Sequence, residues 1–439
     1  MRPHFLRPVV LVLLTMGFLA AQPVDDTQLK QVIIFGRHSV RSPVAPNSTL
    51  NNFSAQPVPD FAVSAPGILT AQGAALETIL GGYYRLWLTK EGLLTGNDSA
   101  DANFAYFRAN VLQRTIVTAQ RFAAGILPAA NINVNFFGPQ ESDPLFDPMG
   151  AGVSRSDPHT IAAAINGRLG GNAQSLASSY ASDLALARSI LFGYPAGQSP
   201  APATPAGKVD VTAMPIEVTV GPTGPLVIDL GGLTAVSAAV DPFIMEYADG
   251  LPASQVGWGQ LSAAGISQTS RLSHLALDLE CRTPYLAAVE GSNLASHVVR
   301  SLVQSATGNT MSGALGGPST KMIVLIASDS NIASLAGLFH FDWLLLGYQE
   351  NYAAPGGAMV FQLRQSQSTG EYFVRLSYVA QTLDQLRNRT PLTLDAPPAS
   401  APVFIPGCSS HNATFDCPLT NFVRLAKQTI DPQFTDLLN

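Results

Sequence analysis

Six consecutive apolar residues, MIVLIA at Met322–Ala327, constrain this chain more than any other stretch. Apolar character without polar alternation over strand length calls for burial on both faces, as inside a sheet covered by helices on each side. SDSNIASLAGLF follows at once and reads as a helix start, making a strand–helix unit. QVIIFG (Gln31–Gly36) repeats the buried-strand pattern near the other end. NFAYFRA (Asn103–Ala109) predicts another strand, leading into a helix over NVLQRTIVTAQRFAAGILP stopped by Gly125 and Pro128. A long helix is predicted over Leu69–Leu94, and AMVFQLRQ with YFVRLSYVA predicts a hairpin around Ser366–Glu371. The alternation defines an α/β class: a central, mostly parallel sheet flanked by helices.

Between these parts the character changes. Helical stretches (Thr160–Leu169 and Gln174–Leu191) give way to Pro/Ala-rich Pro195–Gly207, then to a hairpin turning around Gly221–Pro225, then to more helix through PFIMEYADG and LSHLALDLECRTPYLAAVEGSNLASHVVRSLVQ. The expected organisation is an α/β domain from residues 23–140 and 306–439, with residues 141–305 as a smaller, mostly α-helical insertion. Residues 1–22 read as a secretory signal: Arg2 and Arg7, then apolar Val9–Leu19, then Ala20 and Ala21. That apolar run is shorter than the ~20 residues a membrane-spanning helix needs. The mature protein is therefore expected to be periplasmic or secreted, with no membrane attachment after cleavage. In an oxidising compartment Cys408 and Cys417, close together with loop-forming residues between, are expected to form a disulfide, leaving Cys281 unpaired. A formal charge of -6 and 12% charged residues provide no basic footprint for nucleic acid.

Arginine dominates the basic residues, 19 against 5 lysines, which permits an anion site built on planar, bidentate donors. In open α/β sheets ligands sit beyond the carboxyl ends of strands. There QVIIFG delivers RHSVRSP with Arg37, His38 and Arg41, the NFAYFRA unit delivers Arg114 one turn into its helix, and MIVLIA delivers Ser328 and Asp329. Taken singly, these read as a solvated corner, a helix-surface arginine and a helix N-cap. Taken together they suit phosphoryl transfer: a neutral imidazole to attack phosphorus, guanidinium donors for its oxygens, and a carboxyl to protonate the leaving oxygen. No metal or other cofactor is required.

These motifs resemble the histidine acid phosphatase family, marked by RHGxRxP and a distal HD, and its bacterial glucose-1-phosphatase and 6-phytase branch in particular. LTAQGAALETILGGYYRLWL, NVLQRTIVTAQRFAAG, DPLFDP, VGWGQL, CRTPYLA, SDSNIASL, PGGAMVFQ and QTLDQLRNRTPLTLDAPP extend the resemblance over most of the mature chain. It implies a phosphoglycerate-mutase-like α/β domain with a smaller α domain, and a small phosphomonoester substrate held between them. It implies His38 as nucleophile, Asp329 as proton donor and Arg37, Arg41 and Arg114 as phosphate ligands. Asp241, which precedes Pro242 where helices commonly start, becomes a specificity candidate. Two positions depart from the pattern. Ser39 replaces a glycine, and Ser328 replaces the HD histidine, which leaves a neutral donor for phosphate. The expectation is weakened or altered catalysis. The alternative is a phosphate-binding pseudophosphatase. Val44 replaces a hydroxyl residue of some phytases, which favours a non-phytase substrate.

Overall fold

The computed structural model of the chain describes residues 25–63, 65–221 and 228–436. The signal segment and most of the turn around Gly221–Pro225 lie outside the described residues.

Among the described residues ten strands follow one another: β1 (Thr27–Arg37), β2 (Ala105–Ala109), β3 (Val134–Asn135), β4 (Thr219–Val220), β5 (Ile228–Asp229), β6 (Met322–Ala327), β7 (Ala358–Ser366), β8 (Tyr372–Ala380), β9 (Ala399–Pro402) and β10 (Cys417–Pro418). All but β4 and β5 form one sheet in the order β10-β8-β7-β1-β6-β2-β3, with β9 also on β8. The pairs β1–β6, β6–β2 and β2–β3 are parallel, and the β7–β8 hairpin continues the sheet antiparallel from β1. The central strands that carry the motifs are thus parallel, as expected of an α/β sheet.

Their unbroken apolar runs have a simple cause. Alternate side chains of β1 serve two different cores. Val32 and Ile34 join Val324, Ile326 and Val360 on one face, while Ile33 and Phe35 join Ile323, Leu325 and Phe361 on the other. The first face is covered by helices of the N-terminal part, which holds α1 (Asn47–Leu50), α2 (Ala71–Lys90), α3 (Asp98–Ala102) and α4 (Gln113–Ile126). Leu80, Tyr84 and Leu88 of α2 and Phe122 and Ile126 of α4 pack there. Gly125 does not stop α4, which runs to Ile126. A Cβ at Gly125 would lie 2.2 Å from the Thr78 carbonyl oxygen, so this glycine lets α4 cross α2 at backbone contact.

The middle of the chain supplies α5 (Pro158–Arg168), α6 (Ser175–Ser179), α7 (Ala181–Phe192), α8 (Gly232–Ala248), α9 (Ala263–Cys281) and α10 (Pro284–Thr307). The stretch expected as one helix over Gln174–Leu191 breaks at Tyr180 into α6 and α7. Ile161 and Ile165 of α5, Ile190 of α7, Val236, Val240 and Phe243 of α8, and Leu272 and Leu279 of α9 form a separate apolar cluster. α10 instead buries Leu294, Val298 and Leu302 with the sheet's second face, beside α11 (Asp329–Phe339) and α13 (Leu419–Thr429), which follows the short α12 (Leu383–Asn388).

Cys408 and Cys417 are joined in a disulfide with a Cα–Cα separation of 5.2 Å, and Cys281 is free and buried. The bond ties the 408–416 loop to β10 at the sheet edge. Closing so short a loop is worth about 2–3 kcal/mol through the unfolded chain. Cys417→Ser is expected to lower the unfolding free energy by about that amount in denaturant titrations, and wild-type protein under reductant should shift equally.

Candidate active site

β1 delivers its carboxyl end into a turn whose geometry is set by the neighbouring strand. In the parallel register Arg37 stands opposite Ala327 and Ala109 opposite Ile326. The ladder extends one bond further on each side: the His38 N–H donates to Ala327 O at 2.9 Å and the Asn110 N–H to Ile326 O at 2.9 Å. Residues 37–38, 110–114 and 328–329 therefore leave the sheet together.

Arg37 and Asp329 form a buried ion pair at 2.7 Å, and Arg37 also donates to the Ala353 carbonyl at 2.7 Å. Asp329 is the first residue of α11, with Ser328 at the N-cap. The Ser328 N–H donates to Asn331 Oδ1 at 3.2 Å, which secures the helix start. Burial alone would raise the Asp329 carboxyl, but Arg37, then His38 and Arg41, outweigh it and hold it at about 2. Its side chain is still 30% exposed, so the carboxylate faces the cleft. Arg41 reaches across to α8, donating to both Asp241 carboxylate oxygens at 3.0 and 3.3 Å. α8 begins at Gly232 and continues through Pro242, so Asp241 is a mid-helix residue and does not start the helix. Arg114 is the second residue of α4, closer to the helix start than the turn's depth expected, and donates to the Gly67 carbonyl at 3.3 Å. Burial, then Arg41, lowers its guanidinium to about 10.

His38 is buried, 2% exposed. Its Nδ1 lies 2.9 Å from the Ser39 carbonyl oxygen. A carbonyl only accepts, so Nδ1 carries the proton and Nε2 keeps its lone pair. Burial, then the charges of Arg37, Arg41 and Arg114, push the imidazole well below its ordinary value, so the ring is neutral.

The turn is held from behind. Gly73 of α2 packs so closely that a Cβ there would sit 2.3 Å from the Val40 carbonyl oxygen. The Ser39 N–H donates to Thr118 Oγ1 at 3.2 Å, and the Gly356 N–H donates to His38 O at 3.2 Å. Ser39 is fully buried in this turn. Buried Glu77 lies next to it, and both approach Gly356, where a Cβ would lie 2.4 Å from Glu77 Oε1 and 3.6 Å from Ser39 Oγ.

Arg37, Arg41, Asp241 and Asp329 line a cavity of about 280 Å3, together with His274 and Glu280 of α9 and Tyr352. These last three were missed in the sequence. Ser273, Leu277 and Glu280 recur at helical spacing and so share a face, but nothing in the chain says which face of α9 meets the cleft. Among the described residues no group of three or more His, Cys, Asp or Glu side chains is placed to hold a metal ion.

The chain as a whole has known counterparts. Residues 28–183 match the model of the histidine phosphatase superfamily (branch 2). The chain is 30% identical over 387 residues to a glucose-1-phosphatase of Providencia rettgeri, covering 87% of this chain and 88% of that protein. It is 28% identical over 435 residues to the phytase AppA of Escherichia coli, covering 96% and 97%. A Hafnia alvei phytase in complex with tartrate superposes with a TM-score of 0.84 at 30% identity, covering 94% of this chain and 99% of that one. The chain belongs to branch 2 of the histidine phosphatase superfamily. By class it is a phosphomonoester hydrolase of the histidine type.

Glu77 makes the support of the turn sensitive to pH. Burial raises its carboxyl to about 8, against about 4.5 in an unfolded chain. The folded protein keeps this proton where the unfolded chain has lost it. Stability from the neutral form is complete below about pH 4.5 and is lost as pH rises toward 8. Glu246, Glu280 and Glu290, each raised to about 7 by burial, act in the same direction. The neutral histidines oppose this only below about pH 6.5. Melting temperature is expected to fall between pH 6.5 and 8, and Glu77→Gln to reduce that fall.

Proposed function

We propose that this protein is an exported acid phosphomonoesterase that hydrolyses sugar phosphates of the glucose 1-phosphate type, or phytate, through a covalent phosphohistidine. The observation that carries the reading is the His38 Nδ1 contact to the Ser39 carbonyl, which keeps the lone pair on Nε2, in a ring that feels the charges of Arg37, Arg41 and Arg114. Support for the substrate class comes from the names of the relatives, a glucose-1-phosphatase and phytases.

In the first step His38 Nε2 attacks phosphorus, the bond from phosphorus to the leaving oxygen breaks, and Asp329 gives that oxygen a proton. In the second, water attacks the phosphohistidine while the Asp329 carboxylate takes its proton, releasing inorganic phosphate and neutral His38. Arg37, Arg41 and Arg114 hold the non-bridging oxygens throughout. Asp329 is ionised because Arg37 faces it. An arriving phosphate shares that guanidinium and adds its own negative charge, both of which raise the carboxyl toward protonation. Such a donor favours acidic pH. The helical segment between residues 141 and 305 serves as the cap over this cleft, and Asp241 positions Arg41 from it.

Ser328 stands at the N-cap, where its hydroxyl offers phosphate one neutral hydrogen bond. Replacing a charge-assisted contact by a neutral one costs about 1–2 kcal/mol, or roughly tenfold in rate. Ser328→His is expected to raise turnover of p-nitrophenyl phosphate near pH 5 by about that factor. His38→Ala should abolish phosphate release, and Asp329→Asn should slow it by about 100-fold or more with poor leaving groups. Equal release by wild type and His38→Ala would refute the assignment. Ligand-induced thermal stabilisation with no turnover, and none gained in Ser328→His, would instead indicate a phosphate-binding pseudophosphatase.

A further inference from the structure

A second and larger cavity, about 710 Å3, adjoins the phosphate cleft. Glu280 lines both. So does the first turn of α11: Asp329 faces the smaller cavity, and Ser330 and Asn331 face the larger. Asn110, Val111 and Leu112 also line the larger cavity and lead directly into the start of α4, where Arg114 sits. A phosphate held by Arg37 and Arg41, with its leaving oxygen toward Asp329, therefore has the large cavity available to the group it is bonded to.

The lining of that cavity is one-sided in charge. Glu141, Asp147, Glu280 and Glu290 are acidic, and no lysine, arginine or histidine lines it among the described residues. Glu280 closes α9 one residue before Cys281, and Glu290 lies two turns into α10, so rigid elements hold both carboxyls. The remaining polar groups are neutral, among them Asn110, Ser142 and Ser334.

We propose that Glu280 and Glu290 select the leaving group, so that this enzyme takes phosphomonoesters with a neutral, hydroxyl-rich or cationic alcohol and discriminates against polyphosphorylated ones, phytate included. The inference rests on the phosphatase reading above and narrows its substrate class. Each additional phosphate on the alcohol would meet carboxylates with no cation to neutralise it, and repulsion in a partly dehydrated cavity is weakly screened. A sugar's hydroxyls instead find acceptors in the carboxylates and partners in the serine and asparagine side chains, which is how a site rejects one ligand while favouring another. Burial, then Asp329 and Asp229, raise Glu280 to about 7, and burial, then Asp147, raise Glu290 to about 7, so both are about half ionised at pH 7, and the discrimination strengthens above that pH and fades toward pH 5.

The test compares kcat/KM for glucose 1-phosphate, glucosamine 1-phosphate and phytate at pH 7 and fixed ionic strength, in wild type, Glu280→Gln, Glu290→Gln and Glu290→Lys. Wild type is expected to prefer both monophosphates over phytate by about tenfold or more, with glucosamine 1-phosphate at least equal to glucose 1-phosphate. Glu290→Lys should move the phytate-to-glucose 1-phosphate ratio toward phytate by about tenfold, and each Gln variant by roughly threefold. Melting curves establish that each variant is folded, and the isosteric Gln variants stand in if the lysine does not fold. Preference for phytate in wild type, or an unmoved ratio in folded variants, overturns the inference while His38-dependent turnover keeps the phosphatase reading. Turnover that survives His38→Ala overturns both.

Discussion

The parallel pairing of β1 with β6 is the constraint on which the rest of the molecule depends. Because Arg37 stands level with Ala327, the two chains leave the sheet side by side, and the residue two beyond Ala327 is brought to the guanidinium at 2.7 Å. A shift of one residue would send Phe35 and Ile34 to each other's core and turn His38 away from the cleft. The same register that fills the two cores thus aims the chemistry. Neither β7 on the other side of β1 nor the helices above and below could supply that alignment alone.

Around that pairing, burial and charge act against each other in a consistent way. Burial disfavours every ionised group near the turn. Where a guanidinium is adjacent, as for Asp329, the charged form wins, and where a buried carboxyl has only the neutral Ser39 hydroxyl to offset burial, as for Glu77, the neutral form wins. His38 receives both pressures in the same direction and is driven neutral. Two carboxyls within one small region are thereby assigned opposite protonation states by their surroundings.

Much of this was legible in the chain. Apolar runs such as MIVLIA announced buried strands, and RHSVRSP, Arg114 and Asp329 each followed a strand end, where an α/β sheet gathers its ligands. Other features were not legible because they depend on distant partners. Gly125 reads as a helix stop, yet it is a point where two backbones touch. Asp241 before Pro242 reads as a helix start, yet α8 begins nine residues earlier and the proline is absorbed within it. Tyr352, His274 and Glu280 carry no local signature at all. Their place in the cleft follows from how α9 and the loop before β7 pack, which no periodicity specifies.

The pairing of Arg41 with Asp241 has a consequence for what happens after the chemistry. Two of the three guanidiniums hold carboxylates, Arg37 with Asp329 and Arg41 with Asp241, while Arg114 rests on a backbone carbonyl. Under the proposed function, inorganic phosphate leaving the cleft is replaced by these built-in partners. The cradle returns to a nearly balanced state without waiting for solvent ions, and the product is held less tightly than three unpaired arginines would hold it. A site built this way favours emptying over accumulation.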